Sequence, residues 1–115
     1  MPFVDFNTIP HLRIWDGVHG ALYHSDKLTF GHITLEKDAV VKMHHHVHEQ
    51  WTHVLDGELE FTLGDETQIL TCGMAAYIPS DVPHCARAIT KVKLIDYFMP
   101  SREDFKTLEP WKFNN

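Results

Sequence analysis

Cysteine is scarce in this chain: Cys72 and Cys85 are the two among 115 residues. Two are too few for a disulfide framework, and their spacing is not Cys-x-x-Cys, which argues against a stapled secreted scaffold or a dithiol redox site. Both are expected to be reduced, inert, small hydrophobes. Long apolar runs are missing too, and nothing approaches the ~20 residues of a membrane span. The opening Met1-Pro2-Phe3-Val4-Asp5-Phe6-Asn7 has no basic region followed by an apolar stretch, so a soluble cytoplasmic protein is expected. Basic charge is sparse and scattered, with ten Lys and Arg against sixteen Asp and Glu for a formal charge of −6. That balance offers no basic stripe for nucleic acid or an acidic membrane surface. Repeats, low-complexity segments and interdomain linkers are absent as well.

The rest reads as short strands. Leu28–Leu35, Val40–His46, Gln50–Leu55, Leu59–Leu63, Gln68–Leu70, Ala75–Ile78, His84–Ala88 and Val92–Phe98 are strand-length runs rich in β-branched and aromatic residues. Turn-prone groups divide them at Glu36-Lys37-Asp38, Asp56-Gly57, Gly64-Asp65, Cys72-Gly73, Pro79-Ser80-Asp81 and Thr90-Lys91. Eight strands without amphipathic helices predict an all-β sandwich or barrel. With 43% hydrophobic and 11% aromatic residues, the chain suits one domain over 1–115 that buries somewhat over ~60% of its unfolded surface. Ser101-Arg102-Glu103-Asp104 has the form of a helix start with Ser101 as N-cap, so a short helix is expected after Pro100. The tail Leu108-Glu109-Pro110-Trp111-Lys112-Phe113 is apolar enough to dock on the barrel or on a second subunit.

Ten histidines are an unusual holding, and they cluster in Met43-His44-His45-His46-Val47-His48-Glu49-Gln50. A strand sends alternate side chains to one face, so His44 and His46 can project together while His45 faces away. After a turn at Val47-His48, the next run puts Gln50, Thr52 and Val54 on one face, and Gln50 can bring an amide oxygen to the same point. His84, from a third strand, completes a set of four metal ligands. The competing account, chance clustering or buried imidazoles that satisfy core hydrogen bonds, explains the spacing less well. His45 and His48 fall at the wrong parity or in the turn and read as surface residues, and Glu49 is less favoured as a ligand than Gln50. Trp51, His53 and Leu55 occupy the opposite face of that strand, where they should meet the outside of the second sheet or a partner subunit.

The spacing Gly-x5-His-x-His-x3-Glu-x6-Gly is the first motif of the cupins, and it is met by His44, His46, Gln50 and Gly57, with Asp38 at the first glycine. The second motif, Gly-x5-Pro-x-Gly-x2-His-x3-Asn, is met by Gly73, Pro79 and His84, with Asp81 for the glycine and Ala88 for the asparagine. The chain therefore resembles the cupins over roughly positions 14–105, with the motifs within about 38–105. This resemblance implies a double-stranded β-helix of jelly-roll type with at most a short C-terminal helix. His48-Glu49-Gln50, Gly57-Glu58-Leu59, Asp81-Val82-Pro83-His84 and the run Asp96 to Phe105 are similar to the small pectin-degradation (KdgF-like) cupins. That narrower resemblance implies a metal-dependent enzyme converting 4,5-unsaturated uronate monosaccharides to linear 5-keto-4-deoxyuronate. The implied ligands are His44, His46, Gln50 and His84, and the pattern Asp-x-Phe-x3-Arg falls on Asp96, Phe98 and Arg102. It also implies, as small cupins commonly are, a homodimer.

The residue types suit that chemistry. Three imidazoles and a neutral amide leave a divalent ion its full charge, which favours an anionic guest such as a sugar carboxylate. Zn, Ni, Co, Fe or Mn all fit nitrogen-rich surroundings with open positions. Asp96 shares parity with Leu94 and Phe98 in an apolar run, where an unpaired carboxylate costs several kcal/mol. A general acid/base role accounts for it, against a solvated strand end or a simple pair with Arg102. Arg102 offers a planar fork for the carboxylate, or stands exposed at a helix start, while Phe98 flanks the sugar ring or belongs to the core. Two other functions stay open: an iron-dependent dioxygenase of small molecules, and a non-catalytic sugar- or carboxylate-binding cupin.

Overall fold

The computed structural model of the chain describes residues 3–112, so Met1, Pro2 and Phe113 lie outside the described residues. The expected all-β architecture is present, with ten strands among the described residues where the sequence predicts eight: β1 (Leu12–Trp15), β2 (Val18–His24), β3 (Thr29–Leu35), β4 (Val40–His44), β5 (Glu49–Asp56), β6 (Leu59–Leu63), β7 (Glu66–Leu70), β8 (Ala75–Ile78), β9 (His84–Ala88) and β10 (Val92–Met99). They form a six-stranded sheet, β1-β2-β3-β10-β5-β8, and a four-stranded sheet, β4-β9-β6-β7. Every pairing is antiparallel. Among the described residues no helix is long and apolar enough to cross a membrane.

Alternation within strands builds the core. Gln50, Thr52 and Val54 point inward from β5 while Trp51 and Leu55 point out. Val18, Leu22, Ile33, Leu35, Leu59, Phe61, Ile78, Val92, Leu94 and Phe98 meet Val54 between the sheets. The two aspartates that replace motif glycines both adopt left-handed backbone, Asp38 at φ 70° and Asp81 at φ 64°. Asp tolerates that conformation better than most side chains, so the turns survive the exchange.

Four local expectations need correction. The added hairpin β1–β2 turns at Asp16-Gly17, a pairing whose left-handed glycine suits a tight hairpin turn. β4 ends at His44 rather than His46, because its register with β9 shifts between Val41 and His44. The C-terminal helix is a 3₁₀ turn over Glu103–Thr107 whose N-cap is Arg102, without a side-chain cap. Ser101 instead donates from Oγ to the carbonyls of Ser25 (2.7 Å) and Leu28 (3.1 Å). Cys72 is exposed and Cys85 half-buried, so Cys72 is not the buried hydrophobe expected, though both are free thiols.

The tail docks on the barrel. Arg13 N–H donates to Glu109 O (2.7 Å), Trp111 N–H to His11 O (2.9 Å), and Pro110 bridges Leu12. Leu108 packs against the core. Trp51 and Leu55 do not reach the second sheet: both remain exposed on the outer face.

Candidate metal centre and cavity

His44 and His84 are direct cross-strand partners on β4 and β9, and their rings lie 4.3 Å apart. His46 sits beyond the end of β4, where the chain bends toward β5, yet its ring is 4.9 Å from His84 and 5.6 Å from His44. One ring nitrogen from each of the three falls within 4.8 Å of the others, a group that could hold a metal ion. The loss of strand geometry at His46 does not separate the ligands, because the bend carries its ring back over the cavity.

Backbone carbonyls set the tautomers. His44 Nδ1 donates to Lys42 O (2.7 Å), His46 Nδ1 to His48 O (2.9 Å) and His84 Nδ1 to Val82 O (2.9 Å). A carbonyl only accepts, so a singly protonated ring keeps its hydrogen on Nδ1 and turns a lone pair outward from Nε2. His84 Nε2 is buried and has no hydrogen-bond partner among the described residues. Burial pushes the His84 imidazole down to about 4, with the charges of His44, His46 and Arg102 acting in the same direction. Burial likewise lowers His46, followed by Arg102.

Gln50 adds a fourth donor. Its Nε2 donates to Thr52 Oγ1 (2.8 Å) and more weakly to Asp96 Oδ1 (3.4 Å), which turns Oε1 toward His46 Nε2 at 2.9 Å. With the His46 proton on Nδ1, that contact sets two lone pairs face to face. A cation at the shared point relieves both this repulsion and the orphaned His84 Nε2, so the donor set fits a divalent metal.

Behind these donors lies a cavity of about 300 Å³. Asp96 stands in its wall opposite Thr52 on β5 and Gly31 on β3, and accepts a 2.6 Å bond from Thr52 Oγ1. Burial raises its carboxyl to about 6, against the opposing pull of the Thr52 and Gln50 hydrogen bonds and of Arg102. Arg102 is the one Lys or Arg in the lining among the described residues. It is buried, not exposed at a helix start, and its ion-pair partner is Asp104 rather than Asp96: Nε reaches Asp104 Oδ1 at 3.0 Å and Nη2 reaches Oδ2 at 2.8 Å. Its guanidinium carbon lies 3.8 Å from the Phe105 ring centroid and 4.8 Å from that of Phe98. Nη1 makes no hydrogen bond among the described residues, so one edge of the fork stays available. Phe98 is a core residue, packed edge-on to Phe105 (5.5 Å) and His46 (5.9 Å), and it also lines the cavity.

The structure thus gathers Asp96, Phe98, Arg102, His44, Gln50 and His84 around one cavity, with His46 at its edge. It places His45 outside, exposed and 3.6 Å from Asp81. Sequence reasoning passed over Trp15, whose ring lies 5.2 Å from His44 and lines the cavity, and Asp104. The Asp16-Gly17 turn signal would have found the hairpin carrying Trp15; Asp104 left no signal, since its role depends on Arg102 being buried.

Residues 31–98 match the Cupin domain family. In fold the chain is similar to an RmlC-like cupin from Shewanella frigidimarina NCIMB 400, 29% identical, with TM-score 0.86 over 91% of this chain and 96% of that one. KdgF from Halomonas sp. is 26% identical, with TM-score 0.85 over 91% and 98%. A Bacillus subtilis oxalate decarboxylase shares the fold at 19% identity and TM-score 0.77, over 93% of this chain and 31% of that one. Among curated proteins, a xanthan biosynthesis protein, XanB of Xanthomonas campestris pv. campestris (strain B100), is 35% identical over 74 residues. That stretch is 63% of this chain and 15% of the relative's length.

Proposed function

The chain belongs to the Cupin domain family, and from that premise we propose that it is a metal-dependent enzyme that opens 4,5-unsaturated uronate monosaccharides to linear 5-keto-4-deoxyuronate. The observation that carries the reading is the meeting, in one cavity, of a three-histidine cluster, a carboxyl raised to about 6 and a buried arginine with a free edge. The likeness to KdgF over nearly the whole of both chains supports it. The proposed ligands are His44, His46, Gln50 and His84, holding one divalent transition metal. When bound, such an ion supplies Lewis-acid polarisation of the substrate's oxygens.

Arg102 receives the substrate carboxylate on its Nη1 edge while Asp104 and the two phenylalanines fix the guanidinium plane. Asp96, poised near neutrality, accepts the proton of the hemiacetal hydroxyl as the ring C–O bond breaks. It then returns that proton to the vinylic carbon as the enol becomes a ketone, so the reaction is an isomerisation with no co-reactant. Phe98 closes the apolar side of the cavity.

Metal analysis combined with the decay of unsaturated-uronate absorbance tests the reading. The wild type should carry one metal per chain and consume the absorbance, and Asp96→Asn should keep the metal but lose activity by about 10²–10⁴-fold. An unchanged absorbance with fully loaded protein, or oxygen uptake in its place, overturns the assignment.

A further inference from the structure

Ile14 and Trp15 are neighbours in β1, yet both line the cavity. A regular strand sends adjacent side chains to opposite faces, so Trp15 should point outward with Arg13, which is exposed. The register of β1 against β2 shifts between Arg13 and Trp15, and an irregularity of this kind re-aims a side chain that alternation would have sent out. The turn that follows fixes the result: Gly17 takes φ 73°, and Arg13 pairs with Asp16. On its other edge β1 is clamped by the tail, through Arg13 N–H to Glu109 O and the bridge from Leu12 to Pro110. β1 and β4 are edge strands of the two sheets, and the indole reaches across between them, its ring 5.2 Å from that of His44 at an angle of 53°.

A half-buried indole turned into a cavity by a local irregularity has a face left for a guest. Phe98 has little: it is 4% exposed, and the Arg102 guanidinium lies over its ring. An aromatic face beside a few polar groups suits a flat ring, whose C–H face packs on the indole while its hydroxyls and carboxylate turn to His44, Asp96 and Arg102. We propose that Trp15 is a specificity-determining residue that stacks on the closed ring of the substrate and not on the linear product, a role that rests on the uronate reading above. The 4,5 double bond flattens the ring around those two carbons, which gives the indole a planar surface to cover. The open-chain keto acid has no such surface and loses the contact. Trp15 therefore favours substrate over product, whereas Arg102 holds the carboxylate that both carry. Because the stack is already made in the bound substrate, it acts on KM more than on kcat.

Steady-state kinetics on the metal-loaded full chain, with a lyase-generated unsaturated uronate, tests this. Trp15→Ala should raise KM roughly tenfold with kcat and metal content near wild type, Trp15→Phe should recover most of that loss, and inhibition by added linear product should stay unchanged in both. An unchanged KM in folded Trp15→Ala overturns the proposal and leaves the uronate reading standing. A variant that loses metal or kcat instead overturns it too, because Trp15 then acts through His44. Should Trp15→Ala not fold by circular dichroism, Trp15→Leu, which keeps apolar volume without a flat face, decides in its place. Galacturonate, a saturated uronate, gives a readout that needs no turnover: it should change the tryptophan fluorescence of the wild type and far less that of Trp15→Phe, where Trp51 and Trp111 remain. A wild type that consumes no unsaturated uronate yet shows this change overturns the reaction and supports Trp15 as a ring platform. The absence of both overturns the two together.

Discussion

At the scale of single residues, the donor set makes opposite demands on His84 and Gln50. His84 Nε2 is buried among the described residues without a partner, while the rest of its ring is held by Val82 O at Nδ1 and by stacking on Phe61 at 6.1 Å. His84→Ala should therefore lower metal content sharply while the barrel stays folded. Gln50→Glu should retain metal more tightly by adding a charge, yet bring that charge to within hydrogen-bond range of Asp96 and weaken an anionic guest. Metal stoichiometry after dialysis reads both; equal retention in wild type and His84→Ala would remove His84 from the site. Arg102 makes a second demand. Lysine keeps its charge but neither the bidentate contact to Asp104 nor the free edge, so Arg102→Lys should weaken kcat/KM noticeably. Arg102→Ala should cost on the order of 2–3 kcal/mol in transition-state binding. Indifference of kcat/KM to both, in folded protein, would make Arg102 structural. The parity of His44, Gln50 and Asp96 was legible from alternation alone. The burial of Arg102 was not, because it depends on Phe98, Phe105 and Asp104 closing around one guanidinium.

At the scale of elements, turns that reverse the chain between strands carry the greatest local constraint. Gly57 links β5 to β6 at φ 91°, and a Cβ there would meet Lys91 O at 2.2 Å and Thr90 Oγ1 at 2.8 Å. Gly64 also has positive φ, 59°, but a Cβ would have open space around it. Gly57→Ala should therefore cost about 3 kcal/mol or more, while Gly64→Ala should cost about 1 kcal/mol from the left-handed backbone alone. Thermal unfolding checks the contrast, with Tm falling by roughly 4 °C per kcal/mol for a chain of this size. Similar Tm values for the two variants would refute it. The eight strands from β3 to β10 were readable because alternating β-branched runs are bounded by turn residues, and Gly57 stood out for the same reason. β1 and β2 left only the Asp16-Gly17 turn as a signal, since His19 and Gly20 interrupt the apolar pattern of a strand whose burial comes from β3 and the docked tail. The end of β4 escaped as well: the register shift with β9 is a property of the pair, invisible in either strand.

At the scale of the whole molecule, the cavity places two groups with opposed proton affinities in one fold, and acid stability should show it. In the metal-free protein the His84 imidazole stays neutral down to about 4, whereas unfolding restores its ordinary value of 6.5. Between those values the unfolded chain binds one more proton, so this group alone makes stability fall as pH drops. Asp96 acts the other way. Its folded carboxyl holds a proton up to about 6 against 3.8 when unfolded, so in that window the folded chain binds the extra proton and stability rises as pH drops. From about pH 6 to 4 the two contributions cancel, and the wild type should show little slope from this pair. Asp96→Asn removes one arm of the balance. Relative to wild type, its denaturant midpoint after chelator treatment should fall on acidification from pH 6 to 4, by an amount equivalent to on the order of 3 kcal/mol at 1.36 kcal/mol per pKa unit. Parallel stability curves for the two proteins would mean that the Asp96 carboxyl is ionised in the fold throughout, which would leave it too weak a base to take the hemiacetal proton that the ring-opening step hands it.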